Sequence, residues 1–201
     1  MKALHRLLIL AAPAFLPLVL TLIFAGLPLP PALASGRTPG QELLDAASAG
    51  NLPAVRQALH RGADINTRTR FGNTPLMWAV TQGHLRIVRL LLSAGSAPDL
   101  SSRSHMTPLI LAAGRDSLPL ARLLLSHKAH VDLADGEGRT PLMWAAQTGD
   151  RELVRLFLEA GANLAIRDQE GKTAGELARE LHPRVAALID SWEKKKEGKG
   201  Q

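Results

Sequence analysis

The chain has 201 residues, 46% of them hydrophobic and only 3% aromatic, with no Cys or Tyr and a formal net charge of +6. The absence of cysteine rules out a disulfide framework, a thiolate zinc site and a cysteine nucleophile. Lys2, Arg6 and the four lysines of residues 193–201 carry most of the excess charge; the stretch between holds 18 basic and 16 acidic residues, too near neutral to argue for nucleic acid.

The first element is apolar. Lys2, His5 and Arg6 precede an uncharged run over residues 7–29, and Ala32-Leu33-Ala34 offers the small residues that a signal peptidase accepts. Pro28, Pro30 and Pro31 end the helix just ahead of that point. Residues 1–34 are therefore expected to be a signal peptide of bacterial type, removed after Ala34, with the rest of the chain exported to a periplasm. The run is also long enough to cross a hydrocarbon layer of about 30 Å, so an uncleaved anchor in the inner membrane is the rival reading. Both readings put the remainder outside the cytoplasm, and the basic start favours that orientation. Residues 35–39 read as a spacer.

From residue 40 the chain repeats itself. TPLMWA at 74–79 returns at 140–145, and TPLILA stands midway at 107–112, a period of 33. The units fall at about 40–68, 69–101, 102–134, 135–167 and 168–192. The first lacks TPL but keeps the later pattern (QELLDAASAGNLPAVRQALHRGADIN), and in the fifth (GKTAGELAREL) Ala174 and Gly175 replace Pro and Leu.

Each recurring residue has a physical task. Thr74 can accept from a free N–H at a helix start, and Pro75 suits the first helical position. Leu76, Trp78 and Ala79 open an apolar face; Leu85, Ile87, Val88, Leu91 and Leu92 form the stripe of a second helix. Gly83 permits a sharp turn between the helices, and Gly95 follows the second one. One such unit cannot bury its own apolar face, whereas stacked copies can. The end units accordingly turn more polar, with Gln41, Glu42 and Gln57 in the first and Glu176, Arg179 and Glu180 in the fifth. Residues 193–201 (EKKKEGKGQ) read as a solvated, disordered tail.

This pattern resembles the ankyrin repeat, with its 33-residue period and T-P-L-H-x-A signature. The resemblance implies an all-α solenoid of four to five stacked helix-turn-helix units with short hairpin loops. The family's His after TPL is replaced by Met77, Ile110 and Met143, so apolar packing is expected where that His would hydrogen-bond. His84 matches the family's Gly-His pair, and Asp135 and Asp168 match its hairpin Asp, all with structural roles. Trp78 and Trp144 invite a ligand-pocket reading, but at a core-facing helical position they are expected to be packed inside. The third unit departs most: His105, Asp116 and Lys128 stand where the pattern has Gly, and a non-Gly residue at positive φ costs about 1–2 kcal/mol.

Chemistry is hard to find. No G-x-S-x-G, P-loop or H-E-x-x-H motif is present, and no cofactor is implied. His127, His130 and Asp132 lie close in sequence, and a metal-binding or enzymatic reading would rest on them. The resemblance points instead to a non-enzymatic module, a monomer that binds a protein through a concave face of hairpin tips and the exposed sides of the first helices. The positions carried over are Arg70, Phe71, Asn73, Thr81 and Gln82, then Arg103, Ser104, Met106 and Arg115, then Glu137, Arg139, Gln147 and Thr148. Arginines beside an exposed aromatic suit a protein interface, and their charge suits an acidic partner. Membrane contact would require the N-terminal segment to be retained.

Overall fold

The computed structural model describes residues 36–197, so the signal-peptide and anchor readings of residues 1–34 lie outside the described residues, as does the end of the tail. The chain divides into a unit over 1–38 and a unit over 39–201. The second unit contains ten helices among its described residues. They are α1 Pro39–Ala49, α2 Leu52–His60, α3 Pro75–Thr81, α4 Leu85–Ser93, α5 Pro108–Ala113, α6 Leu118–Ser126, α7 Pro141–Thr148, α8 Arg151–Glu159, α9 Ala174–Leu181 and α10 Pro183–Glu197. No strand occurs among the described residues.

The helices are short because each is punctuated at both ends. Thr74, Thr107, Thr140 and Thr173 lie extended just before α3, α5, α7 and α9, and each hydroxyl accepts from the third backbone N–H of its helix at 3.3–3.4 Å. Pro75, Pro108 and Pro141 follow at the first position, where no N–H partner is needed. Three columns of positive φ recur every 33 residues, at 50, 83, 116 and 149 between the paired helices, at 62, 95, 128 and 161 after them, and at 72, 105, 138 and 171 in the hairpins.

Helices of six to nine residues are marginal on their own. Their stability comes from stacking in two rows. The inner row α1, α3, α5, α7 and α9 packs each helix on the next, as does the outer row α2, α4, α6, α8 and α10, and each inner helix also packs on its own outer partner. The core follows these seams: Leu43 and Val55 in the first unit, Leu76 and Val88 in the second, Leu109 and Leu124 in the third, Leu142 and Phe157 in the fourth, and Ala178 in the fifth are all within 1% of full burial. Met77, Ile110 and Met143, standing at the position of the missing His, are buried in the same way.

Histidine does bridge units, but from another position. His84 Nε2 lies 3.2 Å from Ser48 O and His182 Nε2 lies 3.0 Å from Gln147 O, each ring covering the glycine of the preceding inter-helix turn. A Cβ at Gly50 would come within 2.6 Å of the His84 ring, so that glycine serves close approach as well as turning.

Two boundaries differ from expectation. Helix α1 starts at Pro39, inside the anticipated spacer, because proline is favourable at a helix start. Helix α10 runs to Glu197 rather than stopping at Trp192, and the Lys195 ammonium sits 5.8 Å from the centre of the half-buried Trp192 ring, a contact that the helical spacing allows.

Among the described residues, the non-glycine residues at positive φ are His105 (59°), Asp116 (52°) and Lys128 (65°), the three positions that set the third unit apart in the sequence. Replacing Lys128 or Asp116 by Gly should relieve left-handed strain and, after the added chain entropy of Gly, raise stability by about 0.5–1 kcal/mol each. Urea titration followed by circular dichroism checks this, with Gly95→Ala as the control that should move the midpoint the other way.

Candidate functional site: the hairpin and inner-helix face

The hairpins are laid side by side by backbone bonds. Arg103 N donates to Phe71 O at 2.9 Å, Gly136 N to Ser104 O at 3.0 Å and Gln169 N to Glu137 O at 3.0 Å, so each tip is tied to the one before it. Within each hairpin a polar side chain shapes the turn. Thr69 Oγ1 accepts from Asn73 N, Ser102 Oγ from Met106 N, Asp135 Oδ1 from Glu137 N and Arg139 N, and Asp168 Oδ1 from Glu170 N and Lys172 N. The structural role expected for Asp135 and Asp168 is therefore the observed one.

This arrangement places the sequence-derived positions on one face. Arg70, Phe71, Arg103, Ser104 and Glu137 are exposed at the tips; Asn73, Met106 and Arg139 are half-buried at their bases. At the inner-helix ends Gln82, Arg115 and Thr148 are exposed, while Thr81 and Gln147 are half-buried. Phe71 is 56% exposed, with the Arg70 guanidinium 4.6 Å from the centre of its ring.

The four arginines are not equivalent. Arg139 is paired with Glu137 at 3.2 Å. Among the described residues, no carboxylate lies within ion-pair distance of Arg70, Arg103 or Arg115, so the uncompensated positive charge sits on the second and third units.

Sequence reasoning missed the floor of this face. Trp78 and Trp144 are half-buried rather than enclosed, and Leu111, which occupies the same position in the unit between, is half-buried too. The signal was available in helical spacing. Residues three and four apart share a face, so Trp78 must accompany Thr81 and Gln82, and Trp144 must accompany Gln147 and Thr148. Leu76, Ala79 and Val80 take the opposite, buried side. The Trp144 indole lies over Gly114 of the preceding unit and donates from Nε1 to Asp135 Oδ2 at 2.9 Å. In the fifth unit Leu177 stands where Trp144 stands, and the corresponding Asp168 Oδ2 is buried without a hydrogen-bond partner.

The three residues of the metal reading are not gathered into a site. His127 Nδ1 lies 3.0 Å from Leu123 O at the end of its own helix. His130 donates its backbone N–H to Asp99 Oδ1 at 2.9 Å and pairs with the other carboxylate oxygen through its ring, while Asp132 accepts from Asn163 N at 2.9 Å. Asp99 and Asp132, 33 residues apart, thus each tie one outer loop to the next, and Asn66 does the same by accepting from Ala97 N. No group of three or more metal-ligating side chains occurs among the described residues.

A family model described as ankyrin repeats in three copies matches residues 43–135, 94–168 and 128–191, overlapping windows that together span most of the chain. The chain belongs to the ankyrin-repeat family. No curated protein matches it. In this ankyrin stack, as in the family generally, the ordered helices build a scaffold for protein–protein interaction, and the face just described is its candidate surface.

Two consequences can be measured. Trp144→Phe keeps the ring but strips the donor from Asp135 Oδ2, and should destabilise the chain by about 1 kcal/mol in denaturant titration. The hydrogen bond that the His130 ring donates to Asp99, followed by the charge of that carboxylate, raises the His130 pKa above 6.5. A raised histidine contributes stability below its unfolded pKa and loses it as pH climbs through the folded value. Asp99→Asn should therefore lower the melting temperature at about pH 5.5 and leave it little changed at about pH 8.5, a difference that thermal melts across that range resolve.

Proposed function

We propose that this ankyrin protein is exported and acts as a binding module that recruits or steadies a protein partner in a bacterial periplasm. Family membership supports protein binding in general. The observation that carries the more specific reading is the composition of one face, where the half-buried Trp78, Leu111 and Trp144 form an apolar floor beside the exposed Arg70, Arg103 and Arg115. An apolar centre with a charged rim is the usual anatomy of a protein interface, in which aromatic and Arg anchors contribute most of the affinity. The concave side of the stack is thus assigned to the partner, and its uncompensated arginines favour one with an acidic surface.

Export rests on the sequence of residues 1–34: a basic start, an uncharged run and Ala32-Leu33-Ala34. No helix among the described residues is long and apolar enough to cross a membrane. N-terminal sequencing of the protein recovered from its host separates release from anchoring, and a chain beginning at Ser35 is the outcome expected.

The face assignment is tested by capture from a periplasmic extract with the wild-type chain and with a variant carrying Arg70→Glu, Arg103→Glu and Arg115→Glu. The variant should lose the specific partner and retain its thermal stability. Equal recovery of every protein by both chains would sink the assignment.

A further inference from the structure

The second and third hairpins enclose a groove of about 380 Å³ lined by Arg68, Thr69, Arg70, Gly72, Ser101, Ser102 and Arg103. Three of these residues are arginines and none is acidic, while the surrounding stack is close to electrically neutral. Among the described residues, no carboxylate lies within ion-pair distance of any of the three guanidinium groups.

Two of those groups are already oriented. Arg68 Nη2 donates to Ser101 O at 2.6 Å, which draws its side chain from one hairpin to the next. Arg70 is stacked on Phe71. Holding a long side chain in place before a ligand arrives removes part of the ordering cost of binding. The groove walls are fixed as well. Gly72 has φ +82°, and a Cβ there would meet Arg103 N at 3.1 Å and Ser102 Cα at 3.3 Å, so a side chain at that point would push the two hairpins slightly apart. The Arg103 N–H···O Phe71 bond then closes one side.

Resting on the protein-binding reading above, we infer that this groove is a carboxylate-binding subsite that receives a short acidic segment of the partner protein. Paired Asp or Glu side chains match the fork geometry of guanidinium, and the exposed Phe71, next in sequence to the lining Arg70, offers apolar surface outside the groove. A second groove farther along the hairpins limits the length of the acidic segment. It is lined by Glu137, Arg139, Asp168, Gln169 and Glu170, so it repels a continuous polyanion. A phosphate chain running along the hairpins would meet that opposition, whereas a peptide that is acidic at one end and neutral or basic at the other would not.

The test is fluorescence anisotropy with the full chain and a labelled hexaglutamate peptide at low salt. The expected result is binding that weakens with added salt, that falls about tenfold or more in Arg70→Gln and in Arg103→Gln, and that is unchanged in Arg89→Gln, an exposed arginine on the outer row. Gly72→Ala should weaken it while leaving every arginine in place, and thermal melts check that each variant remains folded. Absence of binding by the wild-type chain at low salt, or an equal loss in Arg89→Gln, overturns the subsite. Tighter binding of polyphosphate than of hexaglutamate overturns the choice of a carboxylate ligand. The broader reading has its own outcome: if the captured partner is retained by Arg70→Gln and Arg103→Gln but lost by Trp78→Ala, the groove proposal fails and the protein-binding module stands.

Discussion

Everything in this protein depends on short amphipathic helices burying their apolar stripes against copies of themselves. A helix such as Pro108–Ala113 has six residues, too few to persist in water. Its Leu109, Ile110, Ala112 and Ala113 are removed from solvent because α3 and α7 lie on either side and α6 packs against it from the outer row. Stability is then a sum of nearest-neighbour seams, and the surface is whatever the seams do not use. This is why the exposed face is long and continuous, and why its residues recur in register.

That constraint made the fold legible. Three TPL triplets 33 residues apart fix the phase, and once the phase is known the caps, the inner row and the outer row follow from ordinary helix chemistry. His105, Asp116 and Lys128 could be placed at positive φ from the sequence because their columns are glycine in the neighbouring units. The repeat also made the hairpin residues easy to place, since Arg70, Arg103 and Gly136 stand at equivalent positions.

What escaped reading lies where a side chain's surroundings depend on a neighbour's identity. Trp78 and Trp144 look like core residues because they are large and apolar, yet both are only half-buried, and Trp144 reaches the hairpin at Asp135. The pairing of Arg139 with Glu137 is a choice between rotamers that spacing does not dictate. Arg68 drew no notice because its significance lies in reaching Ser101 across a hairpin gap, a contact 33 residues away in sequence. The histidines near residue 130 show the limit of closeness along the chain, on which the alternative metal reading rested: the stack directs His130 back to Asp99 and Asp132 forward to Asn163.

Backbone N–H and C=O groups join the hairpin tips, from Arg103 to Phe71, Gly136 to Ser104 and Gln169 to Glu137, and the Arg68 and Gln169 side chains add bonds to Ser101 O and Gly136 O. No tip side chain takes part in those three bonds. Recognition can accordingly be respelled at Phe71, Arg103, Ser104 and Glu137 without removing those three backbone links, so that a new specificity and an old stability can coexist in one descendant.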